Sequence, residues 1–243
     1  MTNSNLPYKY ALITGSRYYP ILEISILLLV IFLFIFLVFP LAGDQPFQRQ
    51  LMISSANVCI IMIIGLSQWI KGTGWSELGL TWKKLSLKTA GKTFLISLLV
   101  MALGMGGYLL GSALMINFTG FPEAADFSSY NYLKENTWMF VLALTGVYIG
   151  SSFGEEVIYR AFIITRIQTL GNKTRLSSIW AIIISTVIFG GIHYDWGPMG
   201  IAQTAGMGLV MGICYLKLNK KLWILILAHA YMDTILLVQL FLA

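Results

Sequence analysis

Three short runs in this sequence combine acids, imidazoles and a cation at helical spacing. Gly154-Glu155-Glu156-Val157-Ile158-Tyr159-Arg160 sets two carboxylates side by side, with an arginine four residues after the second. Phe189-Gly190-Gly191-Ile192-His193 sets an imidazole four residues after a phenyl ring, and His229-Ala230-Tyr231-Met232-Asp233 sets one four residues before a carboxylate. Side chains four apart stack on one helical face, so Glu156 and Arg160 can neutralise each other. Glu155 points about 100° away and stays available. One free glutamate, both histidines of the chain and one further carboxylate are the parts needed to activate a water molecule and stabilise an oxyanion. On paper, Glu155, His193 and His229 would serve equally well as three ligands of a catalytic zinc with an open fourth position.

These groups stand out because the surrounding chain is so apolar. Of 243 residues, 57% are hydrophobic and 11% charged, against about 45–50% and 25% in soluble domains. Soluble, collagen-like, coiled-coil, disordered and disulfide-scaffold classes are excluded on these figures. A membrane protein remains, in which each polar group within a span is costly and calls for a reason. Glu23, at the start of the first apolar run, can reach the interface and is expected to be inert. Asp195 falls in the short Tyr194–Pro198 turn and is expected to be solvated. Cys59 and Cys214 lie in apolar runs outside any metal-binding spacing and read as small hydrophobes. The net charge of +6 reflects membrane topology and not nucleic-acid binding, since Lys and Arg collect in cytoplasmic loops.

Runs of about 20 apolar residues predict an all-α, polytopic membrane bundle of about seven transmembrane helices. They fall near Ile21–Leu41, Leu51–Ile70, Thr93–Ile116, Met139–Arg160, Ser177–His193, Met199–Leu216 and Leu222–Leu242. Residues 1–92 are expected to form the N-terminal helices and an interfacial segment, and 93–243 a catalytic membrane core. Alternate connecting segments hold fourteen of the sixteen Lys and Arg residues, the others two. The positive-inside rule then puts the N-terminus in the cytoplasm and the C-terminus outside, in a bacterial-type plasma membrane. In the loop Lys71–Lys92, Trp75, Leu78, Leu80, Trp82, Leu85 and Leu87 interleave with lysines. This predicts one amphipathic segment lying on the anionic inner leaflet. Glycines crowd the third span (Gly104, Gly106, Gly107, Gly111) and the sixth (Gly200, Gly206, Gly208, Gly212), which predicts close helix packing. Membrane lipid and a membrane-associated protein or peptide are the expected partners.

The three motifs must also meet at one depth. At about 1.5 Å per residue, Glu155 and His193 do so only if the fourth helix continues past Arg160 toward Leu170 and the fifth enters late, near Trp180. Apolar Ala161-Phe162-Ile163-Ile164 followed by Gly171-Asn172, a helix stop, supports the long fourth helix.

In order and spacing, Glu155-Glu156-x-x-x-Arg160, Phe189-x-x-x-His193 and His229-x-x-x-Asp233 resemble the CAAX-protease and bacteriocin-processing (CPBP) family of intramembrane endopeptidases. The resemblance covers about residues 135–235, and Leu78-Gly79-Leu80 ahead of it is also similar. It departs at Ala161, where many members have glycine, and at Asp233, where the CAAX proteases have asparagine. The second departure bears on the CAAX substrate more than on proteolysis. The resemblance implies Glu155 as general base and His193 as a holder of the attacking water. His229 and Asp233 would face the oxyanion, with Glu156, Arg160 and Phe189 in support. Asp233 would either donate as the neutral acid or, as its i, i+4 spacing favours, accept a hydrogen bond from His229 and stabilise an imidazolium that meets the oxyanion. The family's naming as metallopeptidases implies a possible divalent metal, and a metal-free glutamate mechanism is the other arrangement argued for it. Two further readings use the same residues: a non-catalytic scaffold or bacteriocin-immunity protein on this fold, and a proton-coupled transporter or channel.

Overall fold

The computed structural model describes residues 15–43, 45–82, 86–119 and 128–242. Lys83, Lys84 and Leu85 of the second loop lie outside them, as does Lys9. Seven apolar helices follow one another: α1 (Tyr19–Ala42), α2 (Pro46–Ile70), α3 (Leu87–Phe118), α4 (Thr137–Leu170), α5 (Arg175–Gly191), α6 (Tyr194–Lys217) and α7 (Leu222–Leu242). Six are long enough to cross a membrane, and α5 has 17 residues. The chain is a polytopic helical bundle, and no strand occurs among the described residues.

Local sequence sets these boundaries. The Asn136 side chain caps α4 by accepting from the Met139 amide at 3.1 Å, and the Thr174 hydroxyl caps α5 through the Ser177 amide at 3.2 Å. Such caps satisfy amides that have no partner in the first turn. Between α4 and α5, Gly171 ends the helix, and Asn172 and Lys173 take positive φ to reverse the chain. The long α4 agrees with expectation. Thr174 caps α5 at Arg175, and the motifs meet because α4 is long and α5 short.

α3 and α6 pack backbone to backbone. A Cβ on Gly107 would lie 2.4 Å from the Gly206 carbonyl oxygen, and one on Gly206 would lie 2.1 Å from that of Gly107. No side chain fits there, which is the physical content of the two glycine-rich spans. α4 departs from regular geometry in two stretches, Tyr148–Phe153 and Glu156–Ile164, where the turns widen to π-helix. Widened turns of this kind frequently occur at functional sites.

The second loop is not one interfacial segment. Residues 75–80 form a short turn and strap whose Leu78 and Leu80 are fully buried in the core. Gly79, at φ +83°, presses against the α6–α7 connection, where the Leu222 amide donates to its carbonyl at 3.3 Å. The Tyr215 hydroxyl donates to the Leu78 carbonyl. Of the apolar residues expected at the membrane surface, Trp82 and Leu87 are exposed. Period-matching cannot distinguish a face pressed on lipid from one pressed on protein.

Glu23 is likewise not inert. It is buried, its carboxylate pairs with Arg166 Nε at 2.7 Å, and it accepts from Ser67. Arg166, wholly buried, also reaches Gln68 and lies 3.6 Å from Glu77. This cluster ties α1, α2 and the strap to the end of α4. Burial pushes the Glu77 carboxyl up, but the Gln68 hydrogen bond and the charges of Lys71 and Arg166 outweigh it and hold it below its usual value. Its contribution is therefore present above the ordinary carboxylate pKa and is lost as pH falls through the lowered one. Arg166→Gln, which strands Glu23 in a low-dielectric site, is expected to cost about 3–5 kcal/mol of unfolding free energy, measured by denaturant titration in detergent. Arg166→Gln/Glu23→Gln is expected to recover part of that loss.

Candidate active site

The fourth and seventh helices run in opposite directions, and two polar contacts cross between them. His229 Nδ1 donates to Glu156 Oε1 at 2.9 Å, and Ser152 Oγ donates to Asp233 Oδ2 at 2.7 Å. Both helices place their partners four residues apart, so the two contacts form adjacent rungs. Glu156 Oε1 also pairs with Arg160 Nη1 at 3.0 Å, with both side chains at 1% exposure or less. One buried carboxylate thus holds a guanidinium and an imidazole together.

Glu155 turns away from the Glu156–Arg160 pair, as its position predicts, and toward Nε2 of His229. Its Oε2 lies 3.9 Å from His229 Nε2 and accepts no hydrogen bond. Asp233 Oδ1 lies 3.6 Å from the same nitrogen. The hydrogen bond expected between His229 and Asp233 is therefore not made. The imidazole turns its other nitrogen to Glu156, and Ser152 supplies the donor for Asp233. Ser152 was not singled out from sequence: a serine in an apolar helix has no distinguishing pattern until the facing helix is known.

His193 approaches from the end of α5. Its Nδ1 donates to the Phe189 carbonyl at 2.7 Å, since a carbonyl can only accept. In the neutral ring this leaves Nε2 as an acceptor, facing the same space as Glu155 and Asp233. Phe189 is the hub of the supporting contacts. The Arg160 guanidinium stacks 4.0 Å from its ring centroid, and Tyr159 and His193 meet it edge-on at 5.2 and 4.9 Å. Gly208 on α6 makes room, because a Cβ there would come within 2.8 Å of the Phe189 ring.

Three sequence-distant motifs are thereby brought to one site, and Glu155, His193, His229 and Asp233 line a common cavity of about 190 Å³. Asn57 of α2, a further lining residue beside Glu155, donates to the Gly150 carbonyl at 2.9 Å. That bond falls within the widened stretch Tyr148–Phe153, where the regular backbone ladder is disturbed. A metal could be held only by donors that converge, and among the described residues no group of three or more His, Cys, Asp or Glu does so. His229 Nδ1 is committed to Glu156 and His193 Nδ1 to a carbonyl. With Nδ1 so engaged, each imidazole presents Nε2 to the cavity, and a metal there would need Glu155, His193 and His229 drawn closer together than they stand.

Residues 137–235 match the family model described as Rce1-like, type II CAAX prenyl endopeptidase Rce1-like. This part of the chain is similar to the CPBP (CAAX protease) family. The matched stretch starts at the first residue of α4 and ends two residues past Asp233, so it contains all three motifs. No curated protein and no solved structure matches the chain. The family is one of proteases, which supports an enzymatic role in a membrane setting with a protein substrate.

The two adjacent glutamates should respond differently to neutralisation. Glu156→Gln leaves Arg160 and His229 without their shared anion, and is expected to cost about 3–5 kcal/mol of stability. Glu155→Gln breaks no hydrogen bond and is expected to shift stability by less than about 1 kcal/mol. Denaturant titration of both purified variants checks this; equal losses would contradict the division.

Proposed function

We propose that the chain is an intramembrane endopeptidase that hydrolyses a peptide bond of a membrane-associated protein or peptide, with Glu155 activating the water. The observation that carries this is the Glu155 carboxylate, whose Oε2 accepts no hydrogen bond and faces His229 Nε2 at 3.9 Å across a space also lined by His193. Glu155 takes a proton from water while His193 Nε2 accepts the water's other hydrogen bond. The hydroxide adds to the scissile carbonyl carbon, and the oxyanion is met by His229 Nε2–H. Glu155 then delivers its proton to the departing amine nitrogen as the carbon–nitrogen bond breaks, so atoms and charge balance. Asp233 is the counter-charge on the Nε2 side of His229, oriented by Ser152. Glu156, Arg160 and Phe189 hold the imidazoles in place. The N-terminus lies on the cytoplasmic side of the plasma membrane, on the evidence of the Lys and Arg distribution.

Digestion of an amphiphilic peptide library by the purified protein, read by mass spectrometry, tests the reading. Wild type should cleave, and Glu155→Gln should lower kcat/KM by about 10²–10⁴-fold while remaining folded. Asp233→Asn should lower it less, and a chelator should leave the wild-type rate unchanged. A folded Glu155→Gln variant as active as wild type would refute the role of Glu155.

A further inference from the structure

Three hollow spaces meet at Glu155. A polar cavity of about 280 Å³ leads from Glu155, His193 and Asp233 past Tyr130 to Arg49 and Asp195. An apolar groove of about 380 Å³ leads from Glu155 between Val30, Ile31 and Phe34 of α1 and Met52, Ala56 and Ile60 of α2. The third is the space against α3, α6 and α7 already described. Along α4 past Glu155, the lining of these three spaces reaches Tyr159, at the groove, and no farther. Beyond it, every residue from Arg160 to Ile164 is at 2% exposure or less, and Leu78, Leu80 and Arg166 are buried with them.

The polar cavity therefore opens toward one side: the start of α2, the segment before α4, the α5–α6 turn and the end of α7. These are the segments with two of the sixteen cations, Arg49 and Lys134. The opposite side keeps twelve even without Arg160 and Arg166, which lie inside α4. Cations collect on the cytoplasmic side, so the opening faces away from the cytoplasm. The groove beside it faces lipid, since α1 is little buried, widens at Phe34–Val38, and carries exposed Phe32, Phe36 and Leu37. Groove and cavity share Glu155, Asn57, Ile53 and Asp195, so one bound molecule would fill both. The mouth carries one Arg and one Asp and so favours neither sign of charge.

We infer that the site takes its substrate from the non-cytoplasmic face: a membrane-anchored peptide whose apolar residues lie in the α1–α2 groove, with its scissile bond at Glu155. This rests on the peptidase reading. It excludes peptides that are exposed only in the cytoplasm, because the hollow at that end, lined by Gln168, Arg175 and Lys220, does not include Glu155.

The test uses sealed membrane vesicles containing the full chain, right-side-out and inverted. The probes are quenched peptides with a sulfonated, membrane-impermeant fluorophore and either an apolar or a polar flank. Right-side-out vesicles should cleave at the rate seen after permeabilisation, and inverted vesicles only after it. The reverse pattern overturns the inference. Absence of cleavage even after permeabilisation overturns the peptidase reading instead. The face of the cavity is then read independently with Asp195→Cys in a Cys59→Ser/Cys214→Ala background. Labelling by an impermeant maleimide in right-side-out vesicles supports the assigned face, and labelling only in inverted vesicles overturns it. Ala56→Trp, which fills the groove, should lower kcat/KM about tenfold or more for apolar-flanked peptides and less for polar-flanked ones. Equal effects on both, or none, overturn the groove assignment.

Discussion

An ionised carboxylate buried in a membrane bundle must be compensated where it stands, and Glu156 is the point at which this molecule meets that constraint. Removing an ion from water costs several kcal/mol even after relaxation. Glu156 recovers this through two partners on one oxygen, Arg160 at 3.0 Å and His229 at 2.9 Å. The consequence is geometric as well as energetic. With Nδ1 of His229 fixed, Nε2 is aimed at the cavity, and the neighbouring Glu155 is left with no hydrogen bond to satisfy it. A carboxylate oxygen held without a hydrogen bond beside an aimed imidazole is a poor structural element, which is what the proposed role as base requires.

The rest of the bundle can be read as support for that arrangement. Arg160 needs a second surface and finds the face of Phe189, which in turn needs Gly208 to make room. The close contact of α3 with α6 at Gly107 and Gly206 brings the α6 backbone inward. The widened turns of α4 leave backbone carbonyls such as that of Gly150 to be met from α2 by Asn57. At the far end, the Glu23–Arg166 pair and the strap through Leu78 and Leu80 close the bundle and fix one end of α1. The other end of α1 is free to border a groove. One closed end and one open end give the site a direction.

Much of this was legible in the sequence because charges in apolar helices are rare and helical spacing is rigid. The Glu156–Arg160 pair, the outward turn of Glu155, the long α4 and the glycine-lined helix contact all follow from period and composition. What was not legible depends on which helices face one another. Glu23 looked free to reach the interface because its partner, Arg166, is 143 positions away on another helix. Asp233 was assigned to His229 because both lie on one face of α7, whereas Ser152 on the facing helix is closer. Leu78 and Leu80 matched an interfacial pattern that a buried strap matches equally well. Local periodicity fixes the face a side chain presents, and tertiary packing decides what meets it.

The account stands on Glu156 acting as a shared anion, and a double-mutant cycle on the stability of Glu156 and Arg160 tests it most directly. Glu156→Gln and Arg160→Met are each predicted to destabilise strongly in denaturant titration. The double variant should lose much less than their sum, with a coupling energy of at least about 1 kcal/mol. Strictly additive losses would mean that the two charges do not compensate each other, and would contradict the arrangement from which the role of Glu155 follows.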